Sequence, residues 1–159
     1  MSPEISVVDY YRGVLTPNVG ERVIEDGYPA VSSCKFDFTA KSVFISTWTE
    51  GKPPRQPGTY KLSDRDLEKL KSFLNRSRGI ENPYQKEMDS GLLFEAETLS
   101  IFYKDVDLVP TYNSKHQYLA IQRAGRLESK SAYKSKLTPT DTTVFMNELI
   151  SHLEKSTAP

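Results

Sequence analysis

The stretch KLSDRDLEKLKSFLNRSRG, residues 61–79, decides the fold class, because it spells out a complete amphipathic helix with both ends marked. Ser63 can accept a hydrogen bond from the backbone N–H near Asp66, and Leu62 and Leu67 stand at the two positions of a hydrophobic staple. Leu67, Leu70, Phe73 and Leu74 recur at helical spacing and form one apolar stripe, which requires a packed surface to cover it. Gly79 can end the helix in the left-handed conformation. A helix over residues 64–77 is expected.

The same signals return in KLTPTDTTVFMNELISHLEK, residues 136–155. Thr138 caps, Pro139 takes the first helical position, and Phe145, Met146, Leu149, Ile150 and Leu153 form the stripe. This helix is expected over 139–154, with 155–159 as a frayed tail. Lys61-Leu62-Ser63 with Asp66 matches Lys136-Leu137-Thr138 with Asp141 at an offset of 75 residues. Each set follows strand-like sequence, which suggests a duplicated strands-then-helix unit. Such caps are also the general grammar of helix starts, so the sequence leaves both readings open.

The rest of the chain alternates with the period of strands. ISVVDYYRGVL (5–15) comes first, and AVSSCKFDFTAKSVFISTW (30–48) follows. Cys34, Phe36 and Phe38 share one face, whereas Val43–Trp48 is apolar on both faces and is expected to be central. Further strands are expected over 92–104, 106–112, 117–124 and 126–137. Within LLFEAETLSIFY (92–103) the apolar phase shifts from Leu92, Phe94 and Ala96 to Leu99, Ile101 and Tyr103. A period of two cannot change faces without a bulge or bend, here near Glu97, unless residues 92–98 are helical.

EGKPPRQPGTY (50–60) contains a proline-rich loop over 50–58. Its prolines fix the backbone and remove donors, and Pro57-Gly58 is a type II turn pair. Pro54 and Pro57 also satisfy the minimal polyproline docking pattern, but both flanks look structured, so a loop is the reading. The expected fold is α+β, with residues 1–159 as one globular domain. An antiparallel or mixed sheet of about six to eight strands carries the two helices.

Composition agrees with a folded core. A chain of 159 residues with 37% hydrophobic residues and nine tyrosines can bury about 70% of its unfolded surface. Twenty-one cations balance twenty-one anions, so no bulk field draws the protein to nucleic acid or an anionic membrane. Cys34 stands alone and cannot form an internal disulfide, and no apolar run approaches the roughly 18 residues of a membrane span. A cytoplasmic setting without membrane association is expected.

Signatures of common enzymes are absent: there is no GxxxxGK[ST], GxGxxG, GxSxG or HExxH. One cysteine and two histidines give no zinc cluster, and no metal, cofactor or catalytic residue is assigned. A Cys34–His116 nucleophile pair is outweighed by the position of Cys34 beside Phe36 and Phe38, where a thiol serves as core filling. Glu95 and Glu97 share a strand face, and Asp105 and Asp107 repeat the spacing. With His116 these acids form the secondary candidate, a small hydrolase or ligand-binding site, although solvated strand faces look the same.

Charge is segregated along the chain. Residues 81–107 carry seven carboxylates against two lysines, a net of −5, and 113–137 carry six cations against Glu128, a net of +5. If 126–137 runs as one strand, Arg126, Lys130, Lys134 and Lys136 share a face. That face, with Tyr112, His116, Tyr118, Arg123 and Tyr133 near it in sequence, is the expected binding surface. Plentiful tyrosines and patterned charge fit a non-enzymatic protein-binding domain, such as a small cytoplasmic inhibitor of the toxin-immunity or antitoxin type. The alternative is a nucleic-acid-binding module using the basic strand at 123–136. A homodimer is compatible with either.

Overall fold

The computed structural model describes residues 4–13, 30–48, 55–76, 83–87, 97–114, 117–123, 126–127, 131–134, 136 and 138–154. In chain order these form β1 (Ile5–Gly13), β2 (Ala30–Asp37), β3 (Ser42–Trp48), β4 (Gly58–Lys61), α1 (Asp64–Arg76), β5 (Pro83–Glu87), β6 (Glu97–Tyr103), β7 (Leu108–Asn113), β8 (Tyr118–Arg123), β9 (Arg126–Leu127), β10 (Ser131–Lys134) and α2 (Pro139–Ser151).

The class is α+β, as expected. One sheet runs β4-β3-β2-β1-β6-β7-β8-β10-β5, with β9 paired to β8, and every described pairing is antiparallel. Six strands of six or more residues (β1, β2, β3, β6, β7 and β8) make its body, and four shorter ones extend it.

Read outward from its middle, the sheet repeats itself. β1 to β4 form a meander that ends in α1, and β6 to β10 form a second meander that ends in α2. Both helices have 13 residues, and their first residues, Asp64 and Pro139, are 75 positions apart. Lys41 and Gln117, each with φ of 52°, stand immediately before the third strand of their units. Matching backbone bonds follow the second strands, from Phe38 N–H to Ser6 C=O (2.9 Å) and from Ser114 N–H to Glu97 C=O (3.2 Å). The duplicated unit is therefore present in the topology.

Both helices begin as their sequences dictate. Ser63 N–H bonds to Asp66 Oδ2 at 3.0 Å while Asp66 N–H bonds to Ser63 Oγ at 3.1 Å, a reciprocal cap. Asp141 N–H bonds to Thr138 Oγ1 at 3.1 Å. Helix α2 ends at Ser151, short of the expected 154, yet Leu153 stays buried with its N–H on Ile150 C=O.

The two stripes enter one core on one face of the sheet. Leu67, Leu70, Phe73 and Leu74 of α1 join Met146, Leu149 and Ile150 of α2 over Val8, Tyr10, Phe36, Val43, Ile45, Leu99 and Ile101. Phe73 and Phe145 stack at 4.2 Å between the helices. Each such buried aliphatic or aromatic side chain contributes about 1.5–3 kcal/mol.

Two strand expectations are corrected. β3 is not central but lies beside the short β4, and only one of its faces is buried: Val43, Ile45 and Trp48 point inward while Phe44 is 51% exposed. Residues 126–137 do not form one strand. β9 and β10 both pair with β8 but in different registers, Leu127 opposite Gln122 and Tyr133 opposite Leu119, and Lys136 lies beyond β10.

The end of the proline loop is held internally. Arg55 N–H bonds to Trp48 C=O at 3.0 Å, its guanidinium donates to Ser151 C=O at 2.5 Å, and Tyr60 Oη donates to Gln56 C=O at 2.7 Å. Expectations for residues 14–15, 50–54, 92–96 and 155–159, and for Gly79, lie outside the described residues.

Candidate functional site

Of the carboxylates singled out in the sequence, the described ones, Glu97, Asp105 and Asp107, do not gather. Glu97 lies on the helix side of β6, only 3% exposed, and accepts hydrogen bonds from Tyr10 Oη, Ser114 Oγ (2.5 Å) and Thr143 Oγ1 (2.8 Å). Burial, then the neighbouring Glu97 carboxylate, pushes the Tyr10 phenol above its ordinary pKa and keeps it a donor. This is a polar pin between α2 and the sheet.

Asp105 and Asp107 are exposed in the β6–β7 hairpin, where Asp105 takes a left-handed φ of 59° that aspartate tolerates. Six strand steps separate the ends of β6, so Glu97 and Asp105 are on the order of 20 Å apart. Glu95 and His116 lie outside the described residues.

The basic candidates divide as well. Tyr112 is a core residue of β7, 5% exposed. Arg123 and Arg126 are opposite one another on β8 and β9, while Tyr133 and Lys134 of β10 pair with Leu119 and Tyr118. Lys130 lies outside the described residues. β10 has a neighbour on each side: β8 on one and β5, from the acidic segment, on the other, with Ser131 opposite Glu87. The acidic and basic segments are thus neighbours in the sheet. Among the described residues no group of three His, Cys, Asp or Glu side chains is placed to hold a metal ion.

A surface the sequence did not single out lies on the sheet face turned away from the helices. Its two most exposed aromatics are Phe44 of β3 (51%) and Phe102 of β6 (38%). Between them the register runs Phe44–Lys35–Asp9–Ser100, with Val7 opposite Phe102 and Tyr11 opposite Ser33. At about 4.8 Å per strand, the two phenylalanines stand roughly 15 Å apart. Burial lifts the Asp9 carboxyl above its ordinary value, and the Lys35 charge opposes that rise. The face therefore combines aromatic contact area with an opposed charge pair.

The exposure of Phe44 is hidden in the sequence because a continuous apolar run reads as buried on both sides. The proline loop and helix start that crowd the sequence after β3 leave room only for the short β4, which keeps β3 near an edge. Comparison with known proteins finds no family, no curated protein and no solved structure that matches this chain. Among the described residues no helix is long and apolar enough to cross a membrane.

Proposed function

We propose that this protein is a non-enzymatic binding domain that captures a folded protein partner on the far face of its sheet, in the manner of a small toxin-immunity or antitoxin-type inhibitor. The observation that carries this reading is the exposure of Phe44 and Phe102 on one sheet face, around the Lys35–Asp9 pair. Aromatic side chains supply most of the contact energy at interface centres, and flanking charges fix partner and register. An anchor spacing of roughly 15 Å lies well within a standard interface of about 800 Å² per partner. The basic segment favours nucleic acid less, because β10 pairs directly with the acidic segment's β5.

The test is capture from host lysate by the tagged protein at about 50 and 500 mM salt, a threefold change in screening length. Wild type is expected to retain a stoichiometric protein at both. The double variant Phe44→Asp, Phe102→Asp should lose it without a change in melting temperature, and Arg126→Glu, Lys134→Glu should keep it. Retention by the phenylalanine variant, or recovery only of nuclease-sensitive material that high salt removes, overturns the reading.

A further inference from the structure

The internal repeat allows the two halves to be compared position by position, and one difference between them concerns the contact of helix with sheet. In the second half, Thr143 of α2 and Ser114 after β7 meet at Glu97 on the first strand, with Tyr10 of the adjoining strand completing the cage. The helix offset makes Glu68 of α1 the counterpart of Thr143, and Lys71 that of the fully buried Met146. The matching backbone bonds make Phe38 the counterpart of Ser114 and Ser6 that of Glu97. Ile101, adjoining on β6, corresponds to Tyr10.

Where the second half is filled, the first is open. A cleft of about 610 Å³ lies between α1 and the sheet, and Glu68, Phe38, Ile101 and Lys71 all line it. Ile5, Tyr103 and Tyr112 complete its apolar wall. The volume is that of a site for a small organic ligand.

The mouth of the cleft is charged. Three ion pairs border the cleft: Lys41–Asp64 at 2.8 Å, Lys104–Glu4 at 3.1 Å and Lys71–Glu68 at 3.6 Å. In each, the carboxylate is the more exposed partner, at 72–80% against 45–55% for the lysine. The lysine stems lie along the cleft wall, which lowers their exposure while the ammonium groups stay at the mouth. Lys71 has the longest of the three pairings, and its ammonium sits 5.9 Å from the centre of the Phe38 ring. Exchanging an exposed ion pair of this kind for another anion loses little, since such pairs are worth about 0–1 kcal/mol.

We propose that this cleft binds a small amphiphilic anion: an aliphatic or aromatic body with one carboxylate. The body rests on Ile5, Phe38, Ile101 and Tyr103, and the carboxylate takes Lys71 from Glu68. This site is separate from the far face, and its occupancy does not depend on the protein partner.

Calorimetric titration of the full chain with decanoate, and with decanol as its neutral counterpart, tests the assignment. Wild type should bind decanoate more tightly than decanol, by about fivefold, the ratio that a half-exposed ion pair worth about 1 kcal/mol produces. Lys71→Met, which installs the side chain of the filled half, should abolish that preference. Lys71→Arg should preserve it, and Lys136→Met, on the opposite side of α1, should leave it unchanged. Methyl NMR shifts on adding decanoate should centre on Ile5 and Ile101. Equal affinity for acid and alcohol, an unaltered preference in Lys71→Met, shifts centred elsewhere, or no decanoate binding by a protein with a native spectrum would each overturn the proposal.

Discussion

Thr143 on α2 donates a 2.8 Å hydrogen bond to the carboxylate of Glu97 on β6, joining the last helix to the middle of the sheet. Tyr10 and Ser114 use the same carboxylate, so its removal leaves two buried hydroxyls and the half-buried Thr143 hydroxyl without their acceptor. Glu97→Ala should therefore lose about 3 kcal/mol or more, at the usual 1–3 kcal/mol per stranded buried group. Urea unfolding followed through the fluorescence of buried Trp48 measures this directly. A loss under about 1 kcal/mol would mean the pin is not holding α2.

The helix caps give a smaller and equal pair of effects. Ser63→Ala and Thr138→Ala each remove a side-chain acceptor for a first-turn N–H. Each should cost about 1 kcal/mol in the same unfolding experiment. Ser63→Ala also leaves the Asp66 carboxylate bonded to the residue 63 N–H, so Asp66→Ala on top of it should cost more than it does at an uncapped end.

Asp9 makes stability fall as pH rises. Burial raises its folded pKa above the ordinary 3.8, so the folded state holds the proton more tightly than the unfolded chain. This contribution is complete below pH 3.8 and is lost as pH rises through the folded value. Asp9→Asn should accordingly gain stability relative to wild type at neutral pH and show no such gain in strong acid. Lys35→Met, which removes the opposing charge, should widen the difference. Parallel melting curves across pH 3–7, the span over which a shifted carboxyl titrates, would show a constant offset if Asp9 were fully solvated.

Cys34 should be inert in the native protein. It is buried, and desolvation, followed by the nearby Asp9 charge, holds its thiol well above the ordinary value, so little thiolate is present. Its modification by an aromatic disulfide reagent should track unfolding and accelerate with urea. Rapid labelling without denaturant would place Cys34 outside the core.

What the sequence revealed follows the range of the interactions involved. The helices were legible down to their caps because Ser63, Asp66, Thr138 and Asp141 act within one turn. Glu97 was misleading for the opposite reason: a carboxylate on a strand reads as solvated surface, and its partners come from positions 10, 114 and 143. The separation of β9 from β10 was invisible to a parity argument, since alternating residues carry no mark of where a strand changes register on its neighbour. The cleft did leave a trace. Aligning the helices at 75 residues sets Lys71 against Met146, a charged side chain where its twin is buried.

The junction between the repeats has a consequence for how the chain acquires its shape. Within each meander, paired strands are separated by at most 16 residues, and connections of that order close quickly. The seam is different: Tyr10 and Glu97, which meet across β1 and β6, are 87 residues apart. Sequence separation of this size slows folding, because loop entropy is lost before the contacts form. The two hairpin arrays should assemble early and independently, with the zipping of β1 against β6 as the slow, committing step.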